Sequence, residues 1–415
     1  MTRILKKDSM HYHIHQLPNG LRVVHLPMES PVFYCGFAIN AGTRDERPGE
    51  FGLAHFVEHM LFKGTEKRRS WHILNRMEYV GGELNAYTTK EETFIYSAFM
   101  EEHFSRAFEL LADLVFHSQF PVQEIEKEVD VILDEINSYE DSPSELIYDE
   151  FENQLFNGHA LGHHILGDEA SLLSFRPETG RSFLSRYYVP SNMVFFSMGR
   201  RPFAKILKEV EKALSDIVLP GEVLNREAPP YIAPYHKKVA KDTHQAHVLI
   251  GSRAFNMFEE KRLSLFLLNN ILGGPGMNSR LNVSLREKNG LAYNVESSII
   301  SYTDTGLANI YFGTDPKNLE KSLRLVHKEL EKLCQVKLTS SQLSAAKKQV
   351  IGQMGVSSDH KEGVFLGFGK SFLHYNRYDT LKEVFAKIEK ITAEEILEVA
   401  NEVFGKEKLF SLIYQ

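Results

Sequence analysis

The sequence predicts an α+β protein built from two similar repeated domains, each a mostly antiparallel sheet backed by helices. Three observations predict this. A succession of strand-like and helix-like segments runs twice along the chain. A proline- and glycine-rich stretch, from Val218-Leu219-Pro220-Gly221 to Pro234, separates the two runs. And 415 residues are too many for one ordinary core. The division expected is therefore a first domain over 1–217, a linker over 218–235 and a second domain over 236–415.

The first run opens on a hairpin. His11 to Leu17 alternates, Pro18-Asn19-Gly20 turns, and Leu21 to Leu26 returns; an Asn-Gly turn between alternating segments is a strong hairpin signal. His11, His13 and His15 share one face of that strand. With no carboxylate or cysteine beside them, they read as a polar strand face rather than a metal site. A strand over Val32 to Asn40 leads through a Gly/Asp/Pro-rich loop into a helix that carries His55. Asn85-Ala86 falls in a loop before a strand over Thr93 to Met100, and a helix follows from about Glu102 to Ser118. Pro121 opens a further helix with Glu124, Glu128, Val131, Ile132 and Glu135 at helical spacing. Ser142-Pro143 is an N-cap and first helical position for a helix running through Phe156.

The second run repeats the order. A strand over Ala246 to Arg253 precedes a helix over Glu259 to Leu272 and the turn Gly273-Gly274-Pro275-Gly276, which has no Lys-Ser/Thr after it and so is no phosphate loop. A strand near Leu307 to Gly313 and a helix over Leu319 to Cys334 come next. Laying Met60–Gly64 over Ile271–Pro275 puts His55, Glu58 and His59 on Phe266, Asn269 and Asn270. The second copy keeps the helix and has neither the two histidines nor the glutamate of the first, the mark of an internal duplication with one active half.

Composition narrows the function. Hydrophobic residues at 43% and charged residues at 25% are ordinary for a globular protein. A net charge of −7 argues against a nucleic-acid or anionic-membrane surface. The local cluster Lys63, Lys67, Arg68, Arg69 reads as a solvated loop or helix face. Cys35 and Cys334, each in an apolar segment, read as small hydrophobes rather than a disulfide or metal pair. No apolar run approaches the roughly 18–20 residues of a membrane span. Met1 to Lys7 is basic without a following apolar region, so no secretory signal is visible, Met10 is a second possible start, and cytoplasm is the expected location.

The chemistry lies in His55-Phe56-Val57-Glu58-His59-Met60. Positions i and i+4 of a helix share a face about one turn apart, so two neutral imidazoles there can bind one Zn²⁺ without bending the backbone. Glu58 projects beside that face and can reach a metal-bound water as general base. The order H-x-x-E-H inverts the commoner H-E-x-x-H signature. A hydrolytic zinc site needs a third protein ligand, and the carboxylate-rich helix Glu124–Asn137 is its natural donor. Glu128 and Glu135 lie two turns apart on one face. Glu135, near Ile132 and Ile136, is the expected ligand, with Glu128 orienting a histidine behind it.

The segment His55 to Thr65 resembles the zinc motif of the pitrilysin, insulinase and mitochondrial-processing-peptidase family. So does Gly81-Gly82-Glu83-Leu84-Asn85-Ala86-Tyr87-Thr88, and Ser279-Arg280-Leu281 with Arg286-Glu287-Lys288-Asn289-Gly290-Leu291-Ala292-Tyr293 resembles the family's arginine/tyrosine element. The resemblance implies one zinc per chain on His55, His59 and Glu135, with Glu128 as the accompanying acid. It implies a zinc-dependent endopeptidase in which Arg286 and Tyr293 stabilise the oxyanion or grip the substrate, and peptide bound as an added strand near Asn85 and Ala86. It also implies pairing of chains, here as a homodimer, around a chamber that admits peptides and unfolded segments. Two rivals stand beside this reading: a catalytically inactive peptide-binding subunit, and a zinc hydrolase of a non-peptide bond. A second histidine cluster, His159, His163 and His164, sits among glycines and reads as a solvated loop.

Overall fold

In a computed structural model that describes residues 12–415, the first hairpin forms where the sequence places it. Strands β1 (His13–Gln16) and β2 (Arg22–Pro27) pair antiparallel, His13 opposite His25. His11 lies outside the described residues. His13 stacks on Phe203 at 5.2 Å and His15 faces Glu211 at 3.5 Å, so these two histidines pack against a helix, Phe203–Leu214.

The first sheet continues with β3 (Val32–Ile39), β4 (Glu83–Thr88), β5 (Thr93–Met100) and β6 (Met193–Gly199), in the order β1-β2-β6-β3-β5-β4. Only β2 and β6 run parallel. Between strands come α1 (Leu53–Leu61), α2 (Ser70–Glu78), α3 (Phe104–His117) and α4 (Val122–Glu140). Residues Asn85 and Ala86 are in an edge strand, not the expected loop. Glu, Asn and Ala are poor strand formers, so local sequence hides β4. It forms because Gly81, at φ +68, turns the chain back and Asn85 then pairs with Tyr96 of β5.

The second sheet holds β7 (His236–Val239), β8 (Ala246–Ala254), β9 (Ala292–Ser301), β10 (Gly306–Thr314) and β11 (Phe410–Tyr414), in the order β7-β11-β8-β10-β9. Again only the β7–β11 pair is parallel. This matches β2-β6-β3-β5-β4 strand for strand, so the duplication read from the sequence is a duplication of topology. The helix Lys261–Gly273 is the counterpart of α1.

Neither compact unit is one continuous block of sequence. Among the described residues the first comprises 12–136, 164–225 and 360–378, and the second 137–163, 226–359 and 379–415. The division at 217 and 236 therefore needs two exchanges, although 218–235 indeed lacks helix and strand. The reason is that both faces of each sheet are apolar. In the first unit Val23, Phe37, Ile95 and Phe195 face a core shared with α1 and α3. Their neighbours Val24, Ala38, Phe94 and Phe196 point to the opposite side, since side chains alternate along a strand. Phe365, Phe368 and Phe372 of the helix Lys361–Tyr375 cover that second face. In the second unit Leu249, Leu307, Tyr311 and Leu412 are covered likewise by Ile147, Phe151 and Leu155 of α5 (Pro143–Leu155).

Two consequences are measurable. Phe368 is fully buried, with Phe372 at 5.0 Å and Tyr378 at 5.2 Å. Phe368→Ala should cost about 3–5 kcal/mol in denaturant unfolding, whereas a helix that merely rested on the surface would give a change below about 1 kcal/mol. The same helix is tied down by Glu92, which accepts hydrogen bonds from His374 (2.5 Å) and Lys370 while almost wholly buried. Burial pushes the Glu92 carboxyl up, but His374 and Lys370 outweigh it and hold the group below its ordinary 4.5. A lowered carboxyl stabilises the fold above its unfolded value, and that contribution is lost as pH falls through the folded value. Glu92→Gln should therefore flatten the loss of melting temperature below pH 4.5, and an unchanged acid limb would contradict the role given to this pair.

Candidate metal centre

The site is built on α1. Gly52, at φ +88, precedes the helix, and a Cβ there would come 2.4 Å from the Leu166 carbonyl, so only glycine fits. The buried Glu46 carboxylate accepts the N–H groups of Gly52 (2.9 Å) and Ala54 (2.8 Å), caring for donors that a helix start leaves unpaired. Leu53, Phe56, Val57, Met60 and Leu61 bury one side of α1 in the core. His55, Glu58 and His59 are left together on the other face. The imidazole centroids of His55 and His59 are 4.4 Å apart.

The third element is α4. Ile125, Val129 and Ile132 anchor it, and this sets Glu128 and Glu135 toward the histidines. Glu135 Oε2 lies 3.8 Å from His55 Nε2 and 3.8 Å from His59 Nε2. All three donor atoms fall within 4.8 Å of one another, the only such group among the described residues. Zinc bonds of about 2.0–2.2 Å in a tetrahedron set donors roughly 3.3–3.6 Å apart, so the group needs to close only slightly. Two imidazoles and one carboxylate are a donor set of the hydrolytic zinc kind.

The surroundings sharpen each group. His59 Nδ1 donates to Glu128 Oε1 at 2.8 Å, and Glu128, itself buried, also accepts from Lys63 at 2.5 Å. That leaves His59 Nε2 as the free ring nitrogen facing Glu135. His55 Nδ1 is buried without a hydrogen-bond partner, so packing alone orients this ring. Burial and the neighbouring His59 push the His55 imidazole down to about 3, which keeps it neutral with a lone pair to give. For His59, burial lowers the affinity for protons, but the Glu128 hydrogen bond and charge more than reverse it. Burial raises the Glu58 carboxyl, against a hydrogen bond from Thr88.

The residues predicted for the site fall in two places. His55, His59, Glu135, Glu128 and Glu58 are gathered in the first unit, with Asn85 and Ala86 on the edge strand β4 against which α1 packs. Arg286 and Tyr293 are in the second unit. Arg286 is on a π-helical turn, Asn282–Glu287, and its guanidinium sits 5.1 Å over the Tyr293 ring. Both line a cavity of about 610 Å³ together with Phe266, Asn269 and Asn270, the degenerate counterparts of the α1 residues. There Asn269 donates to the Ser297 carbonyl at 2.8 Å and Asn270 to Gln353 at 2.7 Å, so amides satisfy one another where the first unit gathers its donors.

Two residues at the site were not foreseen. Thr88, at the end of β4, lies beside Glu58 and draws its proton affinity down against burial. Lys63 departs from the expected solvated charge run: it pairs with buried Glu128, and Arg68 pairs with Glu109 and Asp113. Of that run only Lys67 and Arg69 are exposed. His159 caps a short turn through Leu161 and bonds the Glu227 carbonyl at 2.9 Å. The cysteines are free, Cys35 fully buried and Cys334 partly so.

Comparison with known proteins shows the family. The family model "Insulinase (Peptidase family M16)" matches residues 23–169, and "Peptidase M16 inactive domain" matches 174–350. An uncharacterized zinc protease, YmxG, of Bacillus subtilis is 33% identical over 95% of this chain and 96% of its own. Another uncharacterized zinc protease, from Rickettsia bellii, is 31% identical over 97% of both. A solved M16 inactive-domain structure from Pseudomonas fluorescens superposes with a TM-score of 0.90 at 19% identity, covering 98% of each chain. A protease structure from Helicobacter pylori gives 0.89 at 22% identity, covering 97% of this chain and 99% of its own. These two establish the fold. The chain belongs to the insulinase family of peptidases, family M16.

Proposed function

We propose that the protein is a zinc-dependent endopeptidase that hydrolyses peptides or unfolded segments, with one zinc per chain held by His55, His59 and Glu135. The observation that carries this reading is the donor triangle of α1 and α4 with a half-buried carboxylate, Glu58, on the same helix. Zinc there would act as a Lewis acid, making water acidic enough to ionise near neutral pH and polarising the scissile carbonyl. Glu58 takes the proton of the attacking water and later delivers it to the leaving amine. Its raised proton affinity suits both halves of that task. Glu128 fixes the His59 ring and tautomer, and Lys63 keeps Glu128 ionised.

Substrate recognition follows from β4. Its outer edge is unpaired within the sheet, so an extended peptide can join as a further strand. Asn85 would then hold a substrate carbonyl, with Ala86 leaving room for the incoming backbone. Backbone pairing of this kind favours peptides over small amides. Arg286 and Tyr293 grip the substrate or the oxyanion in this reading, and two chains pair as a homodimer in the cytoplasm. No helix among the described residues is long and apolar enough to cross a membrane.

A quenched fluorescent peptide library tests the function. Purified zinc-loaded protein should cleave members of it, and chelation should stop cleavage until zinc is restored. Zinc-replete protein that binds peptides and cuts none would leave the inactive binding subunit as the better description.

A further inference from the structure

A second concave site lies on the first unit, and none of its residues belongs to the donor cluster. It is a groove of about 280 Å³ whose walls include Lys67, Arg68, Trp71, Arg76, Tyr79 and Arg106. Trp71 is the only tryptophan in the chain. It is 60% exposed and Tyr79 is 66% exposed. A single exposed ring means little, but these two meet edge to face at 6.3 Å over the same face of α2. The cations beside them are only partly neutralised. Arg68 pairs with Glu109 at 2.6 Å and with Asp113, and Arg76 reaches Glu109 at 3.2 Å. Arg106 spends its Nε on the Arg76 carbonyl. Two carboxylates thus face four cations. The Arg76 Nε is buried with no acceptor, and the Lys67 side chain is exposed.

From this arrangement we propose that the groove binds a peptide segment bearing an acidic side chain next to an apolar or aromatic one. The carboxylate supplies counter-charge for Lys67, Arg76 and Arg106, which line the groove, and charge-assisted bonds of this kind are the strong ones. The neighbouring apolar side chain packs on Trp71 and Tyr79, a pair suited to covering large area at little entropic cost. Concavity decides against an anionic bilayer. Arg68 is 15% and Arg76 33% exposed, less than the rings of Trp71 and Tyr79, so a flat bilayer meets the rings before these two cations, whereas a single side chain can enter beside them. The volume suits one or two side chains. The proposal rests on the peptidase reading only in naming a substrate segment as the natural occupant.

Because Trp71 is the sole tryptophan, fluorescence excited selectively at tryptophan reads this groove alone. The full-length Glu58→Gln protein would be titrated with acetyl-Gly-Glu-Phe-Glu-Gly-amide and with its Gln-for-Glu analogue. Saturable change with the acidic peptide is expected, about tenfold or more weaker for the analogue and weaker again as salt rises. Arg76→Gln with Arg106→Gln should weaken acidic-peptide binding by at least as much. Lys67→Gln, at an exposed position that cannot disturb folding, should weaken it by a smaller factor while leaving cleavage of neutral peptides by otherwise wild-type protein unchanged. Equal binding of the two peptides overturns the proposal. So does silence with peptides but a spectral shift with phosphatidylglycerol vesicles and none with phosphatidylcholine, which would assign the groove to lipid. Since binding is read without cleavage, failure here and failure of the peptidase reading are separate results.

Discussion

Glu58→Gln should lower the rate of peptide cleavage by about 10²–10⁴-fold, the range that a positioned general base contributes, while zinc content and peptide affinity stay near wild type. The substitution is nearly isosteric, and an amide oxygen can accept a hydrogen bond as a carboxylate does. What it removes is the ability to hold a proton between two steps. That ability is a property of place: Glu58 lies beside the donor cluster but is not part of it, and burial raises its proton affinity above that of an exposed glutamate. The informative measurement is kcat and KM together on one quenched peptide, with zinc determined on the same preparation. A fall confined to kcat locates Glu58 in the transition state. A variant that keeps its rate within tenfold would show that another group moves the proton. A variant that loses zinc as well would make Glu58 a structural support of the donors.

How much of this was legible in the sequence depended on distance along the chain. His55, Glu58 and His59 lie within five residues, so helical geometry alone orients them. Glu128 and Glu135 were separable from Glu126, Asp130 and Asp134 because seven residues are nearly two turns, and the structure sets that pair of glutamates toward the histidines. The strand β4 was not legible, because its polar, small residues are ordered by pairing with β5 and not by their own preference. The exchange of covering helices was hidden for a related reason. The phenylalanines of Lys361–Tyr375 announce an apolar face, but nothing in an apolar face names the sheet it covers. Ionic pairing behaved the same way. Lys63 looks like its neighbours in the charge run, and only the fold brings it to buried Glu128. The duplication was visible as a repeated order of elements, and its strand-for-strand match then appeared in the two sheets.

Removing a metal donor should separate the ligands from their supports. Purified wild-type protein should carry about one zinc per chain, and His59→Ala or Glu135→Gln should carry almost none after dialysis against buffer without metal. Either change leaves two donors, and a two-donor site cannot hold zinc as a hydrolytic centre. Glu128→Gln should behave differently. It keeps all three donors and loses only the charge that fixes His59, so zinc should bind 10–100-fold more weakly and still reach one per chain when supplied in excess. Thermal unfolding gives a second readout that needs no substrate. A ligand that binds only the folded state stabilises it in proportion to RT ln(1 + [L]/Kd), about 4 kcal/mol at a thousandfold excess over Kd. Wild type and Glu128→Gln should therefore melt higher as free zinc rises, the variant needing more zinc for the same shift, while Glu135→Gln should not respond. The exposed position of Glu135 makes this a clean comparison, since its side chain is 44% accessible and carries little of the core's packing. If Glu135→Gln kept its zinc and its zinc-dependent melting, the third donor would have to be sought outside α4, and the geometry that joins α1 to α4 would be packing without chemistry.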